Sequence, residues 1–315
     1  MKKLIKNTFI IIASFIALDY VIGLALDMTL KNSPDGRFYK IQYTLKECEE
    51  DIIIYGSSRA ESNYVPRIFE ESLGLTCWNS GRGGQSLPFM YAMNEGVTNR
   101  HSPKIAIINV EDIFLEYTEE EYSFFDRAAG ILRPFYIKHP AVRSIVDRNS
   151  YAEPFLNYSK LYAYNSSYYY LFRPYAIEGL DGKLEDDGWK PKHGKLKDEN
   201  YEQRVVQEKN ELNPEYVALF DNFISSLREK GTQVFVITSP NYKEKVISTK
   251  TIEYLKNRKD IVFIDYLNDT RFTRNKTFYN DPNHMNLIGA EAFSTDIANK
   301  IKSQATYLSA SKPLF

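Results

Sequence analysis

The chain has 315 residues, enough for one large α/β domain with insertions or for two small domains. Its 40 Lys and Arg balance 41 Asp and Glu, so it lacks the basic footprint of a nucleic-acid binder. It has two cysteines, Cys48 and Cys77, and no CxxC pair, which argues against zinc. They read either as two free buried thiols or as a disulfide between neighbouring strand edges.

Lys2, Lys3 and Lys6 precede the apolar run TFIIIASFIALDYVIGLAL, Thr8 to Leu26. As a helix this run is about 28 Å long, close to the ~30 Å hydrocarbon core of a bilayer. It has no convincing A-x-A-like cleavage site, so residues 1–27 read as a cytoplasmic N-terminus and an uncleaved transmembrane anchor. The flanking lysines place that end in the cytoplasm and the rest of the chain outside. Asp19 interrupts the run and would cost about 3 kcal/mol at mid-membrane. Either it faces a partner helix or the segment is a cleaved signal. Residues 28–47 are polar, contain KNSPDGR, and read as a linker.

A repeating pattern follows from Cys48. Ile52 to Tyr55 is a first strand and Ser58 to Leu73 a first helix. LTCWNS is a second strand, which runs into GRGGQS, and Leu87 to Thr98 is a helix. KIAIINVED is a third strand, apolar through most of its length as buried parallel strands are. The alternation then breaks over about 113–212, a stretch rich in Tyr, Phe and charge that reads as a largely helical and irregular insertion, a candidate cap over a site. It resumes with a helix that Asn213 caps, Pro214 opens and Gly231 ends. TQVFVITSP is a fourth strand, Lys243 to Lys256 a helix, DIVFIDYL a fifth strand, and Asn286 to Ile301 a final helix. The alternation predicts a three-layer α/β/α sandwich around a central parallel five-stranded sheet, spanning 48–315 with the insertion.

Sites in such sheets form beyond the carboxyl ends of the strands. GSSR, NSGRGGQS and NVED fall at such ends, and NDPNHMNLIGAEAF lies between the last strand and the last helix. A glycine lets the chain turn sharply at the strand end, and a serine after it projects into the crevice at the start of a helix. A serine needs a base to become a nucleophile. Of the four histidines, His101 lies on the amino-end side of the third strand and His139 and His193 lie in the insertion, whereas His284 follows Asp281 by three residues, a spacing that in a turn can put the carboxylate against Nδ1 and leave Nε2 for a serine proton. The same DPNH is also an ordinary turn and helix start. GRGGQS lacks the lysine and spacing of a phosphate-binding loop; it is either a plain tight turn or a place where bare N–H groups approach a ligand.

Taken in order, these segments resemble the SGNH (GDSL-like) hydrolase superfamily over roughly Asp51–Asp112 and Thr232–Ile301, excluding the membrane segment and the insertion. GSS is similar to the family's G-D-S turn, with Ser57 in the aspartate's place, which implies Ser58 as nucleophile and leaves Ser57 as its rival. This form is similar to that of some membrane-anchored members acting on cell-envelope polymers. NSGRGG matches N-x-G-x-x-G through Asn79, Gly81 and Gly84, which implies the Ser58 and Gly84 N–H groups as oxyanion donors. D-x-x-H matches Asp281 and His284. The chain departs at the third block, where Glu111 in NVED replaces the family's asparagine donor. Asn109, on the same strand face but about 7 Å back, is an imperfect substitute donor. Arg59 and Arg82 flank the site, either to contact an acidic sugar or phosphate, together with Glu111, or as plain surface or ion-paired arginines.

The resemblance implies a flavodoxin-like SGNH fold and a serine esterase or O-acyltransferase, anchored in a bacterial cytoplasmic membrane with its catalytic domain outside. It would act on acyl, chiefly acetyl, esters of an envelope polysaccharide or another small ester, through an acyl–Ser58 intermediate, without metal or cofactor. Its partners would be that substrate, the membrane and a membrane acyl-transfer protein, and no nucleic acid. The alternative is a non-catalytic glycan-binding or polysaccharide-assembly protein, to which Glu111 and the Tyr-rich insertion are suited.

Overall fold

The computed structural model describes residues 1–33, 36–117, 121–177, 184–197, 202–206 and 210–305. Five strands form the central sheet: β1 (Ile52–Tyr55), β2 (Cys77–Asn79), β3 (Ile105–Val110), β4 (Gln233–Thr238) and β5 (Val262–Ile264). All pair in parallel, in the order β2-β1-β3-β4-β5. That order reverses direction between β1 and β3, which opens a crevice beyond their carboxyl ends. Ser57 and Ser58 follow β1 directly, and Glu111 follows β3, so the order of the strands brings these residues to one place.

Strand side chains alternate between two faces, and both faces are buried. Ile53, Tyr55, Ala106, Ile108, Val234 and Val236 enter one apolar cluster. Ile52, Ile54, Ile105, Ile107, Phe235 and Ile237 enter another. Each fully buried aliphatic side chain contributes on the order of 1.5–3 kcal/mol, which is why these strands read as unbroken apolar runs. Helices cover the first face: α2 (Arg37–Lys46), α5 (Leu87–Thr98) and α6 (Pro214–Glu229). On the second lie α3 (Ser58–Asn63), α4 (Pro66–Leu73) and α7 (Leu287–Gln304). Asn213 caps α6 as its sequence predicts, accepting from the N–H groups of Glu215 and Tyr216.

Four expectations change. The single helix expected over Ser58–Leu73 is two: Tyr64 and Val65 between them are extended, and Pro66 disfavours helical backbone at Val65. The helix expected over Lys243–Lys256 begins only at Lys250, capped by Thr249; Glu244–Val246 instead pairs in parallel with Arg204–Val206. The stretch read as a 28–47 linker carries α2, whose Phe38, Ile41 and Leu45 are core residues and whose Thr44 Oγ1 accepts from Trp78 Nε1 at 2.9 Å. Cys48 and Cys77 are free and buried, so the disulfide reading falls.

Among the described residues, one helix, α1 (Lys2–Lys31), is long and apolar enough to cross a membrane. Its first part is exposed, including Phe9, Ile12, Phe15 and Ile16, whereas Gly23, Leu26 and Leu30 are buried against the protein. Among the described residues, Asp19 meets the insertion. Its carboxylate accepts from Ser159 Oγ at 2.7 Å and from the N–H groups of Lys160 and Leu161 at 2.8 and 3.0 Å, at the start of the short helix Lys160–Tyr164. Asp27 accepts from Lys138, Lys160 and the Tyr164 hydroxyl. The interruption in the apolar run is therefore the point where α1 docks on the insertion.

Candidate active site

The site grows from the turn after β1. Gly56 brings the chain into α3 so closely that a Cβ there would lie 2.4 Å from Ala60 Cβ and 3.0 Å from Asn109 Cβ. No larger residue fits without moving the helix or β3. Ser57 caps α3 and Ser58 is its first residue. The two neighbouring hydroxyls diverge. Ser57 Oγ donates to Glu111 Oε1 at 2.6 Å, whereas Ser58 Oγ lies 2.7 Å from His284 Nε2, across 226 positions of sequence.

His284 Nδ1 is 2.8 Å from Asp281 Oδ1. With that carboxylate as acceptor, Nδ1 carries the proton and Nε2 is left to accept from Ser58. The Asp281–His284 stretch is a tight reversal of two short antiparallel strands, Tyr279–Asp281 and His284–Met285, rather than a bare loop leading into a helix. Tyr279 and Met285 are fully buried beneath it, and Pro282 O accepts from Tyr242 N at 2.9 Å. Burial pushes the Asp281 carboxyl up, but hydrogen bonds from His284, Asn280 and the Asn283 amide outweigh it and hold the group at about 2. Asp281 is thus an anion throughout the neutral range.

NSGRGG forms the opposite wall. Asn79 is fully buried and structural: Nδ2 donates to Ala60 O and Tyr64 O, where Pro66 ended the helix, and Oδ1 accepts from Gly81 N. The turn passes directly beside Ser58, since a Cβ on Gly83 would lie 3.5 Å from Ser58 Cβ. Arg82 N donates to Gly56 O and Gly83 N to Glu61 Oε2 at 3.0 Å. The amides of Ser58 and Gly84 have no acceptor among the described residues, and Gly84 holds the left-handed φ of +73° that glycine favours. α3 has only six residues, so it brings no long helix dipole to the site.

Asn109 does not fill the missing donor's place. Its Nδ2 donates to Ile237 O at 3.1 Å and Ser239 Oγ at 3.0 Å, and the side chain is buried where β3 meets β4. Glu111 and Arg59 follow the ion-paired reading, at 3.7 Å, and Arg59 Nη1 also donates to Ser239 O. Arg82 is buried, donates to Arg37 O at 3.1 Å, stacks over the Phe38 ring and lines a cavity next to the glycine turn.

Two parts of the frame carry no motif. Asn63 Oδ1 accepts from Met285 N at 3.0 Å, tying the end of α3 to the histidine strand. The described segment 184–197 of the insertion crosses the whole site. Asp187 O accepts from Asn79 N, Lys190 N donates to Glu61 O, Trp189 Nε1 donates to Ser62 O, and Leu196 N donates to Tyr279 O. It thereby links β2, α3 and the strand before His284. Comparison with known proteins yields no match to a family model or to a curated protein.

Proposed function

We propose that this chain is an SGNH-type serine esterase or O-acyltransferase, anchored through α1 in a bacterial cytoplasmic membrane and acting outside it on acyl, chiefly acetyl, esters of an envelope polysaccharide. The observation that carries this reading is the line of Ser58, His284 and Asp281, with contacts of 2.7 and 2.8 Å. Ser58 Oγ attacks the acyl carbon as His284 Nε2 takes its proton, and the Asp281 anion stabilises the imidazolium. The oxyanion falls to the N–H groups of Ser58 and Gly84. His284 then returns the proton to the leaving alcohol oxygen as the C–O bond breaks, leaving acyl–Ser58. Water, or a sugar hydroxyl deprotonated by His284, attacks that ester and releases the serine. With Asn109 committed to the core, a third donor is missing, and one donor is commonly worth about 10²–10³ in rate, so slow turnover is expected.

That same missing donor favours a second reading, a non-catalytic glycan-binding or polysaccharide-assembly protein on the same crevice. Acetate release from an acetylated model ester by the full chain in detergent separates the two. Turnover that falls by about 10³-fold or more in Ser58→Ala supports the enzyme. Wild-type turnover that persists undiminished in Ser58→Ala defeats it.

A further inference from the structure

One stretch of the insertion is turned inside out. Glu153 and Asn157 point inward and are fully buried, and the Glu153 carboxylate accepts from Arg133 Nη2 at 2.6 Å and from Asn157 Nδ2 at 2.9 Å. The large apolar side chains of the same stretch point out: Tyr151 is 100 % exposed, Tyr158 80 %, Phe155 78 % and Leu156 41 %. Scattered exposed apolar residues are ordinary, but a patch of them marks a contact.

This patch sits where α1 docks. Tyr158 N and Ser159 N donate back to Phe155 O and Leu156 O, so these residues lie within a turn of Ser159, whose hydroxyl meets Asp19. On α1, every residue from Met1 to Leu18 is exposed. From Lys6 the helix rises about 20 Å to Asp19 and about 32 Å to Asp27. A hydrocarbon core of ~30 Å that begins at Lys6 therefore ends near Leu26, about 10 Å beyond the level of Asp19. The exposed part of α1 is too short to span alone, and its docking point lies inside the far boundary. Charges gather at that boundary, where Asp27 pairs with Lys138 at 2.9 Å and with Lys160 at 3.2 Å. Lys160 joins the two levels: its N–H donates to Asp19 and its Nζ reaches Asp27, the posture of a lysine that snorkels to a membrane surface.

We propose that residues 151–158 are a second membrane contact, a lipid-facing patch that dips about 10 Å into the outer leaflet beside α1. Phe155 and Leu156 meet the acyl chains, and Tyr151 and Tyr158 lie at the headgroup level, where aromatic side chains with a polar tip collect. The inward turn of Glu153 and Asn157 follows, since their charge and amide are satisfied by protein rather than by water. This contact rests on α1 spanning the membrane, as proposed above. Two contacts in place of one tether then fix how the crevice faces the bilayer.

Nitroxide labels on the full chain in phosphatidylglycerol–phosphatidylethanolamine vesicles test this. Cys48 and Cys77 are buried, so an introduced thiol takes the label. Phe155→Cys and Tyr158→Cys replace outward-facing side chains and should fold. Phe9→Cys reports on α1, and Glu71→Cys on an exposed position of α4, across the sheet from the insertion. Labels at 155 and 158 should be relaxed more by dissolved oxygen than by a water-soluble nickel chelate, as at 9, with the ratio reversed at 71. A water-like ratio at 155 and 158 with a lipid-like ratio at 9 removes the second contact and leaves the anchor. Labels at 155 and 158 shielded from both agents, as a second protein chain would shield them, also overturn it. A water-like ratio at 9 removes the anchor and this contact together.

Discussion

Ser57 and Ser58 are chemically identical, and only their surroundings separate them. The first donates a hydrogen bond to Glu111 and the second meets His284. Ser57→Ala should therefore leave fluorophosphonate labelling in place, measured by adduct mass, while Ser58→Ala removes it. Asp281 carries a pH signature. Its carboxyl is depressed from the ordinary 3.8 to about 2. A depressed carboxyl contributes stability that is present above its unfolded value and lost as pH falls through the folded one. The difference in thermal midpoint between wild type and Asp281→Asn should be constant above about pH 4 and should close as pH falls toward 2. A gap unchanged across that window would contradict the assigned hydrogen bonds. Ser58 was legible as a candidate because its motif ends a strand, and Asp281 and His284 because their motif stands just before the last helix. The commitment of Asn109 was not. Strand parity says which face it points to, but its acceptors, Ile237 O in β4 and Ser239 Oγ just after it, lie 128 and 130 positions later.

At the scale of elements, the site depends on how tightly β1 turns into α3. Gly56→Ala would drive a methyl to 2.4 Å from Ala60 Cβ. Overpacking of this kind costs typically 1–3 kcal/mol, so the urea midpoint should fall measurably, and labelling of Ser58 should slow as α3 shifts. An unchanged midpoint would mean that the turn has room to relax. The strands were legible because burial on both faces removes polar residues from them. Helix boundaries were less so: Pro66 splits a continuous helical pattern, and Glu244–Val246 gives up helix for pairing with a segment of the insertion. The clamp formed by residues 184–197 has no signature, since its bonds to Asn79, Glu61 and Tyr279 are made by backbone atoms, which any side chain can accompany.

At the scale of the molecule, α1 and the insertion are one assembly. The carboxylates of Asp19 and Asp27 hold the 138–164 region through hydrogen bonds and ion pairs. Removing residues 1–27 deletes both, together with the buried Gly23 and Leu26. Hydrogen exchange across 153–164 should accelerate in a 28–315 chain relative to the full chain, while amides of β3 and β4 keep their protection. Equal protection in both chains would show that the insertion holds its shape without α1. The apolar run was legible as a candidate span from its length and composition. What Asp19 does there was not, because its partners at 159–161 lie 140 positions or more away in a segment without periodicity.

The contact between Ser58 and His284 is the hinge of the proposed chemistry, and covalent capture reads it most directly. A fluorophosphonate applied to the full chain at neutral pH should form one adduct, which peptide mass mapping assigns to Ser58 and which His284→Ala reduces to background. A wild-type protein that stays unlabelled, or an adduct on Ser58 that forms as fast without His284, would contradict it.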